Sequence, residues 1–173
     1  FARMPEPETS VQDLKQLVRD AVLLQQTGQP GVKIRAKLPD DPVMARIDGT
    51  MISQALTNLI KNAGEAIETL IEKGAPDDLV PQIHLSMTTD DTNAIVTIAD
   101  NGIGLPEDRA ALFEPYVTTR SEGTGLGLPI VKKIIEEHGG TLVLDNAPVF
   151  EGQNHFGAMA VITLPLLPHV TAD

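Results

Sequence analysis

The chain contains no cysteine, which removes disulfide frameworks, cysteine-ligated zinc, iron–sulfur clusters and thiol catalysis. Tryptophan is also absent and aromatics make up only 3% of residues, leaving little from which to build base-stacking platforms or large aromatic interfaces. Positive charge is scarce: 13 Lys+Arg stand against 24 Asp+Glu, a formal charge of −11. A surface of that sign repels phosphate backbones and argues against generic nucleic-acid binding. It still permits one phosphate ligand held by a local basic cluster or by backbone N–H groups. No apolar run approaches the ~20 residues of a membrane span. The opening Phe1-Ala2-Arg3-Met4-Pro5 has neither the basic start nor the apolar core of a signal peptide. Its lack of an initiating Met suggests a piece of a longer protein.

What is there is ordinary for a globular domain. The 173 residues, 42% hydrophobic and 21% charged, fit one domain that buries roughly 70% of its chain surface without a covalent staple. Residues 1–9 carry two prolines and read as a linker, residues 10–167 as the domain and 168–173 as a tail. Ser10 with Asp13 resembles a capping box. Val11, Leu14, Leu17, Val18, Ala21 and Leu24 follow with helical spacing until Gly28 and Pro30. Residues 32–38 and 43–47 read as strands around a Pro39-Asp40-Asp41-Pro42 turn, where two adjacent carboxylates between prolines are turn chemistry rather than an acid/base pair.

From Thr50 to about Glu72 the spacing predicts a long helix with Ile52, Ala55, Leu56, Leu59, Ile60, Ala63 and Ile67 on one face. The alternations at Ile83, Leu85, Met87 and at Ala94, Val96, Ile98 flank Asp90-Asp91-Thr92-Asn93 and predict a hairpin. A long irregular stretch runs from Asp100 to about Gly123, and loops of that length are functional or disordered. A third helix is expected with Ile130, Val131, Ile134 and Ile135 inward and Gly139-Gly140 at its end. Residues 141–144 and 158–164 read as the last strands. The expected class is α+β, an α/β sandwich: a mixed, mostly antiparallel sheet of about five to six strands with three helices on one face.

Three constellations carry chemistry. On the second helix, Asn58, Lys61, Asn62 and Glu65 share one arc of roughly 100° bordering the apolar face. An amide oxygen there suits Mg²⁺, a hard cation that keeps waters and shares phosphate oxygens; two asparagines on a helix edge are equally consistent with plain solvation. Next, Asp100-Asn101-Gly102-Ile103-Gly104 follows an apolar strand. Its carboxylate can accept from an exocyclic amine and its glycines let backbone approach a ligand, although the same letters also make an ordinary turn. Last, Gly123-Thr124-Gly125-Leu126-Gly127-Leu128-Pro129 opens the third helix, where N–H groups and the helix dipole favour an anion. A Rossmann fingerprint is excluded because no strand directly precedes it, and a Walker loop because Pro129 and Ile130 stand where Lys and Ser/Thr are needed.

In order and spacing these segments resemble the boxes of the histidine-kinase catalytic domain, within the wider family shared with gyrase, heat-shock protein 90 and the MutL proteins. Residues 58–66 resemble the N box, 100–104 the first glycine box, Leu112-Phe113-Glu114-Pro115-Tyr116 the F box, 123–128 the second glycine box and 157–165 the closing glycine–strand segment. The opening five residues and the stretch from Glu114 to Arg120 resemble nitrogen-regulation sensor kinases of the NtrY type. The resemblance implies the Bergerat ATP-binding fold with ATP and Mg²⁺ as cofactors. It implies that Asn62 ligates Mg²⁺ beside Asn58, that Asp100 accepts from the adenine amine, and that Ala66, Gly102, Ile103 and Gly104 shape the adenine pocket. Phe113 is then the lid anchor. Gly123, Thr124, Gly125, Leu126, Gly127 and Leu128 wrap the phosphates, and Thr163 belongs to the nucleotide site. Lys61 and Arg120 are candidate phosphate contacts on charge and position, the more so because Glu65 stands where other subfamilies carry a basic residue.

The activity so implied is transfer of the ATP γ-phosphoryl group to a histidine on a separate dimerisation and phosphoacceptor domain, for onward transfer to a response regulator. The fragment is then a cytoplasmic monomer and the full-length protein a homodimer, anchored in the bacterial inner membrane if it spans one. The alternatives are a gyrase- or heat-shock-protein-90-like ATPase clamp and an anti-sigma-factor-type serine kinase. Gyrase-like relatives carry Glu four residues before the Mg²⁺ Asn; here Asn58 holds that place, and an amide takes no proton from water. None of His84, His138, His155 and His169 is followed by Asp or Glu, so the acceptor histidine is expected outside this chain and the four are read as structural.

Overall fold

A computed structural model describes residues 4–108, 112–113 and 127–168. Its elements are β1 (Ser10–Asp13), α1 (Leu14–Gly28), β2 (Lys33–Lys37), β3 (Met44–Ile47), α2 (Gly49–Glu72), β4 (Gln82–Thr89), β5 (Asn93–Asp100), α3 (Leu128–Glu137), β6 (Thr141–Asn146) and β7 (Ala158–Pro165). Five strands form one sheet in the order β2-β4-β5-β7-β6, and β1 pairs with β3 in a separate two-stranded sheet. Among the described residues, only β2 and β4 run parallel within the large sheet. The expected mixed, mostly antiparallel sheet is therefore present.

Residues 10–13 depart from expectation. They are a strand rather than a helix start, paired antiparallel from Ser10↔Ile47 to Asp13↔Met44. The cap of α1 is Asp13 itself, whose Oδ1 accepts from Lys15 N at 3.0 Å and from Val43 N at 2.9 Å. One carboxylate thus starts a helix and ties it to the residue before β3. Val11 and Leu24, assigned to the apolar face of α1, are 45% and 63% exposed; the inward residues are Leu14, Val18 and Ala21.

Pairing Leu85↔Ile98↔Ala160 and Met87↔Val96↔Ile162 aligns the apolar positions of β4, β5 and β7 on one face. They are buried together with Leu56, Ile60, Ile67, Val131, Ile134 and Ile135 of the helices in a single core, so the helices cover one face of the sheet, as alternation requires. On α3 the exposed Ile130 departs from the inward set, while Lys132–Glu136 and Lys133–Glu137 face solvent as i,i+4 pairs. The helix ends in Gly139 at φ +78°, a conformation glycine adopts freely.

Two side chains fasten elements together. His138 at the end of α3 accepts from Asp48 N at 3.0 Å through Nε2 and lies 2.7 Å from Ile134 O through Nδ1. The imidazole therefore carries its proton on Nδ1 and joins the end of α3 to the start of α2, which Asp48 caps through Met51 N. At the sheet edge, Gln26 of α1 accepts from Ile34 N at 2.9 Å and donates to Val32 O at 2.8 Å. A side-chain amide thus fills the hydrogen-bonding place of a sixth strand beside β2.

Candidate functional site

The site is built where β5 ends against α2. Asp100, the last residue of β5, is 4% exposed. Its Oδ1 accepts from Gly102 N at 2.8 Å and from Ala158 N at 3.2 Å. Burial nevertheless dominates and pushes the carboxyl up to about 6, against the lowering by these two N–H groups and by the nearby His155. Gly157 closes the other side: a Cβ there would collide with the Asp100 carboxylate and with Gly102 N.

The turn after Asp100 is pressed onto α2. A Cβ on Gly102 would run into the backbone of Ala66 and Ile67, and Ile103 N donates to Ala66 O at 3.0 Å. Gly104 sits at φ +86°, a conformation that favours glycine. Asn101 turns the other way. It is 1% exposed, accepts from Gln82 N at 3.1 Å and donates to Val80 O at 2.8 Å, so it fastens the entry of β4 instead of facing a ligand.

On α2, Asn58, Asn62 and Ala66 are spaced four residues apart and lie on one stripe, each about 40° from the last. Ala66 fixes where that stripe points, because its carbonyl holds the turn at Ile103. Asn58 is buried at 6% exposure; Lys61, Asn62 and Glu65 are half-buried along the border. The helix face and the buried carboxylate thus meet at one corner. Among the described residues no group of three or more His, Cys, Asp or Glu could hold a metal ion. The donor set here is amide oxygen, which fits Mg²⁺ arriving with its own waters and phosphate oxygens and does not make an all-protein cage.

Phe113 packs against the core, with Lys132 Nζ 4.7 Å from its ring centroid. Gly127 is the N-cap of α3 in extended conformation, Pro129 follows in the first turn and Leu128 is partly buried against the core. Arg120, Gly123, Thr124, Gly125 and Leu126 lie outside the described residues, as do 109–111 and the rest of 114–122 in the long irregular stretch. Thr163 is not brought to the corner. It pairs with Ile95 and Thr141 on the sheet face turned away from the helices, whereas Asp100 shares the face of Ile98. A one-residue difference in strand parity separates the two.

His155, expected to be structural, places its Nε2 2.7 Å from the carbonyl of Gly102. Spacing gave no signal for it, because the contact spans 53 residues. His84 stacks on Phe150 at 3.7 Å between ring centroids and meets Gln82 Oε1 at 3.0 Å. Burial, and then the Arg35 charge, pull its imidazole below the ordinary range.

Residues 47–168 match the family model described as histidine kinase-, DNA gyrase B- and HSP90-like ATPase. The chain is 47% identical over 156 residues to the nitrogen regulation protein NtrY of Azorhizobium caulinodans, covering 88% of this chain and 19% of that protein. It spans about a fifth of the length of the curated relatives it matches. Among solved structures, the nucleotide-free catalytic domain of histidine kinase ThkA superposes with a TM-score of 0.73 at 26% identity, covering 91% of this chain and 95% of that one. ThkA in complex with response regulator protein TrrA gives 0.67 at 26% identity, over 92% of this chain and 42% of that chain.

Proposed function

Because the chain belongs to the family of histidine kinase-, DNA gyrase B- and HSP90-like ATPases, we propose that it binds Mg-ATP at the corner of β5 and α2 and presents the γ-phosphoryl group to a histidine on a separate helical domain. It is a histidine-kinase-type ATP-binding domain, homologous to that of NtrY. The observation that carries the proposal is the buried Asp100 carboxylate. Both of its hydrogen bonds from backbone go to Oδ1, which leaves Oδ2 for a donor from a ligand, and the adenine amine is such a donor.

In this reading Ala66, Gly102, Ile103 and Gly104 wall the base. Asn58 and Asn62 border the phosphates, with Lys61 and Arg120 as candidate cationic contacts, and the glycines from 123 to 127 supply N–H groups to the phosphate oxygens. Asn62 is the residue that would hold Mg²⁺, and the ion would supply neutralisation of the phosphate charge. Phosphoryl transfer needs positioning and charge neutralisation above all, so such a domain requires no base of its own. The onward partner is a response regulator, as in the ThkA–TrrA complex. The acceptor domain lies in the rest of a longer, dimeric protein, on the cytoplasmic side of the membrane that anchors it. Among the described residues no helix is long and apolar enough to cross a membrane.

An ATPase clamp is disfavoured by Asn58, an amide where water activation calls for a carboxylate. Incubating the chain with labelled ATP, alone and with a separately made helical acceptor domain from the same protein, tests the choice. Label is expected on the acceptor only when both are present. Phosphate release by the chain alone, with no label transferred, would establish the ATPase instead.

A further inference from the structure

We propose that His155 is a positioning residue for recognition of the adenine base, acting through the peptide unit between Gly102 and Ile103. The inference rests on the nucleotide reading above. A carbonyl oxygen only accepts, so the 2.7 Å contact requires the proton on His155 Nε2, donated to Gly102 O. The N–H at the other end of the same peptide unit, that of Ile103, donates to Ala66 O at 3.0 Å. A peptide is planar, so partners at its carbonyl and its N–H fix the orientation of the plane. One anchor comes from α2 and the other from residues 147–157, far apart in sequence.

That plane governs the carboxylate. Gly102 N–H, on the preceding peptide, donates to Asp100 Oδ1, and Ala158 N–H donates to the same oxygen. His155 and Ala158 therefore lie on one short segment that grips both the turn and the carboxylate it orients. Gly157 between them has no room for a Cβ, which lets the segment approach this closely. The segment is itself anchored. Ala147 N donates to Gly157 O at 2.9 Å and closes the loop, Gln153 N donates to Phe150 O at 2.9 Å, and the buried Phe150 stacks on His84 across the far face of the sheet. Without the imidazole, the Gly102 carbonyl loses this partner and its peptide unit is held by Ala66 of α2, while Asn101 still fastens the start of the turn. The Gly102 N–H that helps orient the Asp100 carboxylate is then less firmly placed, and Ala158 N–H is left to hold the oxygen.

Nuclear magnetic resonance titrations with adenosine and with ADP on the wild-type chain, His155→Ala and His155→Gln, with a thermal melt of each, test this. The Ala variant is expected to weaken adenosine and ADP by the same factor, about tenfold, the size of one lost hydrogen bond. The Gln variant, whose amide N–H₂ can donate to the same carbonyl, should recover most of the loss. Unchanged affinity in the Ala variant would overturn the proposal. So would a loss for ADP without one for adenosine, or a loss that Gln does not recover while both variants melt like wild type. Should the Ala variant fail to fold, Gln decides alone: wild-type affinities for both ligands support the donor role and a tenfold loss overturns it. A wild-type chain that binds neither ligand removes the nucleotide reading itself, an outcome distinct from any difference between variants.

Discussion

At the scale of single residues, Asp100 sets function against stability. Its carboxyl is raised to about 6 from an ordinary 3.8, chiefly by burial. A group raised on folding contributes stability that is fully present below its unfolded value and lost as pH rises through its folded value. For Asp100 that window runs from about pH 4 to 6, and above it the buried charge costs on the order of 2–3 kcal/mol. Asp100→Asn is therefore expected to melt higher than wild type at pH 8, with the gap closing between pH 6 and 4, by calorimetric scans across that range. The same variant should bind adenine nucleotides at least tenfold more weakly, because its amide turns an N–H₂ towards the adenine amine. Protonation of Oδ2 acts alike, so wild-type affinity for ADP should fall about tenfold per pH unit below 6. Flat affinity from pH 7.5 to 5 would show that Asp100 does not meet the base.

Elements decide which of these side chains can act together. The arc of Asn58, Lys61, Asn62 and Glu65 was legible because a helix repeats every 3.6 residues, and the place of Asp100 at a strand end followed from the apolar alternation that runs into it. The alternation of β4 and β5 likewise gave the helix-covered face. Three things were not legible. The strand at residues 10–13 exists through its pairing with β3, a tertiary partner that no local spacing announces, and Asp13 rather than Ser10 is the cap. Thr163 falls on the open face because β7 enters the sheet in a register that its own pattern leaves open. His155 reaches Gly102 only after residues 147–157 fold back. On α2 itself, Asn62→Ala should abolish the gain in ATP affinity that Mg²⁺ brings, a loss of about tenfold or more, and leave Mg²⁺-free binding nearly unchanged. Calorimetric titration with Mg²⁺ and with a chelator distinguishes the two arms, and an unaltered metal dependence would release Asn62 from the role.

For the whole molecule the edge of the sheet is the exposed risk. β2 is an edge strand, and an unpaired row of N–H and C=O groups invites a second chain. Gln26 occupies the two groups at Ile34 and Val32 that such a chain would seize first. Gln26→Leu keeps the apolar bulk and removes both hydrogen bonds, at an expected cost of about 1–3 kcal/mol. It should also self-associate with rising concentration while wild type does not. Sedimentation velocity across a hundredfold range of concentration, beside urea melts, reads both effects.

The parallel pairing of β2 with β4 has a consequence in time. Hairpin β4–β5 closes through a short turn, but joining Lys33 to Gln82 spans about fifty residues of chain that include all of α2, a closure of higher entropic cost. Contacts of that range are made late, and β2, unlike the doubly paired β5 and β7, is an edge strand exposed along most of its length, so it also gives way early. Native-state hydrogen exchange should therefore show the amides of β2 opening in a partial event that leaves β5 closed. The strands that carry Asp100 and Ala158 would keep their protection until the entire chain unfolds.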